Sequence, residues 1–319
     1  MCVLQSSSWK GRLGVFSMIP AIITSILWAM SAVSAGRSTR LLGAGTANLS
    51  RLTVAAVFLA FWAHVWGQGL SGAGLPWLLL SGLIGFGLGD MALYGAYHRL
   101  GPRLAVLLCL CLAAPIGAVV EWVWLGTRLT AHQIFWSTTI LAGVFTALVP
   151  DTRTPVTPRV WRVGILMGAF AALGQGLGAV FTRKASDLAA HAGQHIDGGT
   201  AAYQRIVAGL ALTAVVLFIH RLRKPPTPPE PDAAAGSNHP WRRAWPWVIA
   251  NALAGPALGV ACYQWALIVA PTGVVLSIVA TTPLVVIPFT MILDHERPTR
   301  RSLLGGAVAV LGAVALAYK

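Results

Sequence analysis

Charged side chains are scarce in this sequence of 319 residues: they make up 10% of it, and only nine residues are acidic. Hydrophobic residues account for 56% of the chain, and the mean hydropathy is +0.71. A soluble domain carries about a quarter charged residues and could not keep so much apolar surface in water. The composition therefore excludes a soluble globular protein and predicts an integral membrane protein.

Cysteine is also rare, with four residues, and no metal-binding motif such as HExxH occurs. Cys109 and Cys111 are two residues apart on a predicted helix, so their side chains face different directions. The sequence thus predicts no metal site, and we expect no cofactor. The net charge of +14 would suggest nucleic acid as the partner of a soluble protein. Here the basic residues lie at helix ends and in loops, where they anchor helices to the bilayer, and we expect no nucleic-acid partner.

Long apolar runs are what the sequence has in abundance. A helix needs about 20 residues to cross the hydrocarbon core. The runs are continuously apolar rather than alternating, which excludes a β-barrel and predicts an all-α membrane protein. We count ten predicted helices, at 17–35, 46–66, 76–98, 103–126, 131–149, 163–182, 200–219, 246–269, 272–293 and 302–318.

The predicted helices divide into two groups of five. No signal peptide is expected, because the first apolar run reaches full spanning length without a cleavage site, and Met18 is an alternative start. The expected organisation is an N-terminal tail (1–16), a first five-helix repeat (17–149), a connector (150–162) and a second repeat (163–318) that contains a flexible proline-rich loop (220–245).

The two groups repeat each other in sequence. TANLSRLTVAAVFLA at 46–60 aligns with TAAYQRIVAGLALTA at 200–214, and similar matches occur in the other helices. Five helices is an odd number, so the second repeat must be inverted relative to the first if all ten helices span the membrane. The matched pairs include Arg51 with Arg205, Trp28 with Gln175, Gly89 with Gly259, and Pro115 with Pro283.

The order of these features resembles a known family. Trp28 in helix 1, Arg51 opening helix 2, Pro115 in helix 4, LGTRLT closing helix 4 and HERPT closing helix 9 are similar to the drug/metabolite transporter superfamily. Within it, the chain resembles the ten-helix members with two EamA domains, over about residues 20–148 and 160–318. The family's usual glutamate at the helix 4 exit is replaced by Thr127, whereas Glu296 keeps it in the second repeat.

The resemblance implies a function as well as a fold. It implies a substrate cavity between the repeats, lined by helices 1, 3, 4, 6, 8 and 9, with helices 5 and 10 as scaffold. It also implies a secondary active transporter that exports or exchanges small organic metabolites such as amino acids by alternating access. The expected partners are a small-molecule substrate, the lipid bilayer and possible coupling protons. The expected location is the bacterial cytoplasmic (inner) membrane; the sequence does not indicate an oligomeric state.

Two acids are predicted to lie inside membrane spans. The other seven fall in loops or at helix ends, which leaves Asp90 and Glu121. An ionisable group in the membrane is costly and by default marks a functional position. Asp90 lies deep and is a candidate proton carrier or amine-binding carboxylate. Glu121 is a weaker candidate, because it lies near the helix 4 exit, where it can reach the interface or pair with Arg128.

The other candidate residues are aromatic or polar side chains inside the spans. Tyr94 and Tyr97 lie on the same helix face as Asp90, where their hydroxyls can bind a ligand or a neighbouring helix. Trp28 and Gln175 occupy matched positions, and we expect them to face each other across the cavity. One or two residues of the mid-span cluster around Tyr263 and Gln264 are also expected to line it.

Arg51 and Arg205 open helices 2 and 7, as basic anchors at the headgroups or as gates. By our count, seven of the 23 basic residues lie on the side of the termini, so the positive-inside rule predicts that the termini face away from the cytoplasm. The family resemblance implies termini in the cytoplasm. Both orientations stay open.

Two alternatives to a transporter remain. GLGD at 87–90 is similar to a catalytic motif of intramembrane aspartyl proteases, whose chemistry needs two carboxyls that share a proton. No second aspartate lies within a span, Glu121 is the one available partner, and we therefore expect no enzyme. A membrane scaffold without transport activity is the second alternative, although it requires neither a buried acid nor polar aromatic residues in mid-span.

Overall fold

The structure is a computed structural model that describes residues 15–148, 157–223, 240–293 and 299–317. These ranges are almost entirely helical and contain no strand, so the predicted all-α fold is confirmed. The predicted tail at 1–16 and much of the predicted connector and proline-rich loop lie outside the described residues.

The first half of the chain forms five α-helices and one π-helical segment. The π segment, Leu83–Gly89, follows directly on the third helix and leads into the fourth without a turn. We call it the first π segment. The helices are α1 (Val15–Leu42), α2 (Ala44–Val65), α3 (Leu75–Gly82), α4 (Asp90–Leu125) and α5 (Ala131–Leu148).

The second half has a corresponding interruption. A second π segment, Leu253–Ala257, again lies within an otherwise continuous helical run. The alignment that sets Gly89 opposite Gly259 also sets Leu83 opposite Leu253, so the two π segments begin at matched positions. The helices are α6 (Pro158–His191), α7 (Gly198–Arg223), α8 (Pro240–Ala252), α9 (Leu258–Val269), α10 (Thr272–Val279), α11 (Thr282–Leu293) and α12 (Arg300–Ala317).

The chain reverses direction between α3 and the end of α4, because the ring centroids of Trp77 and Trp124 lie 5.2 Å apart. This reversal agrees with the turn predicted at LGPRL, 100–104, although the helix α4 is continuous through Gly101 and Pro102. Pro20 and Pro288 also lie inside helices, a position that packed membrane helices tolerate. Predicted helix 9 is interrupted: α10 ends at Val279, and α11 begins three residues later, just before Pro283.

Seven segments of the described chain are long and apolar enough to cross a membrane. The predicted spans at 131–149, 272–293 and 302–318 are not among them, although helices occupy all three regions. The seven are Met18–Leu42, Gly45–Val65, Leu75–Leu93, Ala105–Leu125, Pro158–His191, Gly198–His220 and Pro240–Val269.

Helix packing follows one pattern in both halves. Helix α6 packs along α3, the first π segment and α4, while α1 packs along α8, the second π segment, α9 and α11. Helix α2 packs against its counterpart α7, and α5 packs against its counterpart α12. Each half therefore supplies one helix that packs into the other half.

The outer surface of the bundle is apolar. Val57 and Phe61 on α2, and Leu304 and Leu311 on α12, are each more than 60% exposed. Such side chains would be unfavourable in water but match the hydrocarbon of a bilayer. The polar groups that line the cavity described below lie inside the bundle.

Candidate functional site

A cavity of about 570 Å³ lies between the two halves of the chain. Along α1 it extends from Trp28 to Thr39, towards the C-terminal end of that helix. Its walls are mostly apolar, and both halves contribute polar groups to it. The first half contributes Trp28, Arg51 and Asp90, and the second half contributes Gln175, Arg205 and Tyr263.

Asp90 is the first residue after the first π segment. Helix α6 crosses the end of this segment in direct backbone contact, because glycines face each other there. A Cβ atom on Gly174 would lie 2.8 Å from Gly89 Cα. Such segments are frequent at functional sites. The Asp90 carboxylate pairs with Arg51, whose Nη2 lies 3.1 Å from Oδ2. Arg51 Nε also donates to Asn48 Oδ1 at 2.8 Å, which fixes the guanidinium.

Arg205 lies in the same cavity and is only 3% exposed. Its guanidinium carbon lies 5.3 Å from the centre of the Phe86 ring and 5.9 Å from that of Tyr263. Within the part of the chain that the structure describes, Arg205 Nε has no hydrogen-bond partner and no acid forms an ion pair with the side chain. Glycine makes room for it: a Cβ on Gly85 would lie 3.1 Å from Nη2.

An aromatic pair forms another wall of the cavity. The Trp28 and Tyr263 rings have centroids 5.2 Å apart at an interplanar angle of 44°. The Tyr263 hydroxyl is buried and has no hydrogen-bond partner among the described residues. Gln175 lines the same cavity as Trp28, as its matched position predicts. The wall combines apolar ring surface with polar side chains.

The sequence of one transporter family matches most of the chain. The profile of the EamA-like transporter family matches residues 15–149 and 162–318. The chain belongs to the EamA-like transporter family. No curated relative matches it. A solved structure described only as "Crystal structure of protein" is similar over 95% of this chain and 96% of that chain, with a TM-score of 0.68 and 18% sequence identity, a likeness that shows the fold alone.

Family membership confirms the resemblance to the drug/metabolite transporter superfamily with two EamA domains. Together with the apolar helices, it identifies the chain as a multi-pass integral membrane protein and a membrane transporter of the drug/metabolite type. Each matched stretch contains one of the two arginines that line the cavity. The cavity thus lies between the two stretches that match the family.

Glu121 lies outside the cavity and takes part in a buried polar cluster. Its Oε1 lies 2.5 Å from Arg183 Nε, and Thr272 N donates to Oε2 at 2.6 Å. Arg183 Nη1 donates in turn to the carbonyl oxygens of Leu267 and Ala270, at 2.6 and 2.7 Å. The partner of Glu121 is therefore Arg183 rather than Arg128. The cluster joins α4 and α6 to the turn between α9 and α10.

Hydrogen bonds between the two halves close the same end of the bundle. Trp62 Nε1 donates to Asp197 Oδ1 at 2.8 Å, and Gln204 Nε2 donates to the carbonyl oxygens of Gly69 and Ser71, both at 2.9 Å. These bonds join the end of α2 and the α2–α3 connection to α7 and the α6–α7 connection. We call the end that holds these bonds and the Glu121 cluster the closed end.

Among the remaining candidate residues, Gln264 does not line the cavity. It is fully buried next to Tyr263, and both polar atoms of its amide lack a hydrogen-bond partner among the described residues. The side chains of Tyr94 and Tyr97 lie outside the described part. No group of three or more His, Cys, Asp or Glu residues that could hold a metal ion occurs in the described ranges.

The sequence analysis left the two cavity arginines as either anchors or gates and missed Phe86. The interpretation of Arg51 and Arg205 as headgroup anchors does not fit their positions, because both side chains line the interior cavity. The available signal was their match between the two halves, since a residue kept at one position of both repeats is better explained by the repeat interface than by the lipid. Phe86 gave no signal among the many apolar residues around it.

Proposed function

We propose that this EamA-like transporter moves small organic metabolites by alternating access around the cavity between its two repeats. The observation that carries the proposal is the composition of the cavity, in which each repeat supplies an arginine and aromatic surface. Repeat interfaces are the usual substrate sites of transporters built in this way. A scaffold has no need for such a cavity, and aspartyl protease chemistry would need a second carboxyl, which the described lining lacks.

The proposal includes ten membrane spans in two inverted repeats. Helices α5 and α12, which fall short of the length and composition of the other spans, pack against each other at matched positions, as scaffold helices would. The closed end and the cavity lie towards opposite ends of the bundle. We therefore assign the structure to a state that admits solute from the side of the α1 C-terminus. Exchange or export across a bacterial inner membrane is the corresponding physiological process.

Asp90 is proposed as the group that couples transport to protons. It is the one acid among the described residues that line the cavity, and it is paired with Arg51. Proton binding to Asp90 would break this pair and change the charge of the cavity by one unit. Asp90→Asn keeps the size and hydrogen-bonding capacity but cannot titrate. We expect this variant to fold and to lose the pH dependence of flux, whereas Asp187→Asn, at an exposed acid, should keep it.

A flux screen in proteoliposomes tests the proposed function. The purified protein is reconstituted and loaded with radiolabelled amino acids, organic acids, nucleobases or cationic drugs in turn. We expect saturable flux for at least one class, with protein-free liposomes as the control. If every class crosses at the protein-free rate in both directions and at every imposed pH gradient, the protein is a scaffold rather than a transporter.

A further inference from the structure

The charges of the cavity do not balance. Arg51 and Asp90 form an ion pair and cancel, whereas Arg205 has no acid within ion-pair distance among the described residues. Asp90 is already occupied by Arg51, and the described lining contains no second acid. One uncompensated positive charge therefore remains in the cavity.

The sequences of the two repeats already differ in the number of charged residues at the matched cavity positions. Arg51 and Arg205 occupy matched positions, but the position that corresponds to Asp90 holds Val260. Val260 also lines the cavity, so the second repeat places an apolar side chain where the first places a carboxylate. The second repeat thus keeps the arginine and lacks its acid.

Burial of an unpaired guanidinium is unfavourable, and the surroundings compensate for it only in part. The rings of Phe86 and Tyr263 offer their faces to the cation at 5.3 and 5.9 Å. The Nε donor is left without an acceptor in the described part of the chain, and so is the nearby Tyr263 hydroxyl. A group that is buried, charged and short of acceptors in a ligand-sized cavity is suited to donate hydrogen bonds to the oxygen atoms of a ligand.

We propose that Arg205 binds the carboxylate of a solute whose apolar or aromatic body packs against the rings of Trp28, Phe86 and Tyr263. This inference rests on the proposed transport function and specifies its substrate class. The planar guanidinium can bind both carboxylate oxygens, and the Tyr263 hydroxyl is a further donor in the same wall. Because the charge of Asp90 is neutralised by Arg51, the cavity should bind an ammonium group more weakly than a carboxylate. It should prefer organic anions to zwitterions, and zwitterions to cations.

Three probes that share one ring and differ in charge test the preference. Phenylacetate is an anion at neutral pH, phenylacetamide is neutral and phenethylamine is a cation. Each is titrated into the purified full-length protein in detergent, and the midpoint of thermal unfolding is measured. We expect phenylacetate to raise the midpoint with an affinity about 10- to 100-fold above that of the amide, the range expected for hydrogen bonds to a charged group. A midpoint no higher with phenylacetate than with the amide or the amine overturns the proposal.

Substitution of the arginine identifies the binding group. Arg205→Gln should remove the preference for phenylacetate over phenylacetamide, and Arg205→Lys should restore part of it. Arg99→Gln is the matched control, since Arg99 donates to the Gly95 carbonyl oxygen and does not line the cavity. This variant should keep the full preference. An unchanged preference in Arg205→Gln overturns the proposal.

Stability without ligand separates a binding role from a structural one. If Arg205 serves the ligand, the glutamine variant no longer buries an unpaired charge, and its unfolding midpoint should equal or exceed that of the wild type. A lower midpoint together with unchanged phenylacetate binding would make Arg205 a structural residue. Selective binding of phenylacetate without flux of any solute would contradict the transport function and leave the anion site intact, so the two failures are distinguishable.

Discussion

Loss of the Glu121 carboxylate should weaken the closed end of the bundle. Glu121→Gln keeps the length of the side chain and one oxygen that accepts the Thr272 N–H, but it removes the negative charge that faces Arg183 at 2.5 Å. The arginine would keep its bonds to the carbonyl oxygens of Leu267 and Ala270. The variant therefore removes one ion pair and leaves the partly buried positive charge of Arg183 without an acid.

The expected cost follows from the burial of the pair. Glu121 is 2% exposed and Arg183 is 21% exposed. Removal of one partner of a buried pair costs about 3–5 kcal/mol in soluble proteins. The partial exposure of Arg183 and its retained carbonyl contacts reduce that figure, so we expect the free energy of unfolding to fall by about 2–3 kcal/mol.

Unfolding in an SDS titration, followed by circular dichroism, measures this change. A double-mutant cycle with Arg183→Gln isolates the pairwise energy, which should be about 2 kcal/mol or more. Asp187→Asn is the matched control: Asp187 is half exposed and 3.5 Å from Lys184, so its loss should cost less than about 1 kcal/mol. A coupling energy between Glu121 and Arg183 no larger than the effect of the control would refute the reasoning.

Two further predictions concern the contact between the halves. Gly174→Ala places a methyl group 2.8 Å from Gly89 Cα and should lower the free energy of unfolding by about 1–3 kcal/mol. Gly306→Ala is the control: its added methyl group would have its nearest contact at 4.0 Å, so this variant should not lower the free energy of unfolding. Burial raises the pKa of Asp197. Hydrogen bonds that the carboxylate receives from Thr200, Trp62 and Gly199 outweigh this effect and leave the pKa below its ordinary value of 3.8. The stability contributed by Asp197 is therefore present above that pH and lost below it, as acid-unfolding curves of wild type and Asp197→Asn should show.

The helices could be predicted from the sequence because the bilayer imposes both their length and their composition. Apolar runs mark α1, α2 and α7 directly, since every backbone group in lipid must be bonded within its own helix. The turn at LGPRL was predictable because glycine and proline together between two apolar runs favour a reversal of the chain. The ring contact of Trp77 with Trp124 requires such a reversal.

Side-chain partners were less predictable than helices. Arg128 follows Glu121 by two helical turns in sequence, but α4 ends at Leu125 and Gly126 adopts a φ of 71°, which turns the chain away. The true partner, Arg183, lies on another helix, and no local pattern links the two. Asp90 was identifiable because an acid within an apolar run is conspicuous, whereas its pairing with Arg51 depends on how α2 and α4 meet.

The central claim is that solute passes through the cavity between the repeats. Thr39→Cys, in a background without other cysteines, places a thiol in the cavity, and Thr53→Cys places one on the exposed outer face of α2. Each variant is reconstituted, treated with a charged methanethiosulfonate reagent, and assayed with the solute of highest flux in the screen. The account predicts that modification at position 39 blocks flux, that the solute protects against it, and that the same treatment at position 53 has no effect. Full modification of Cys at position 39 with undiminished flux would contradict the account.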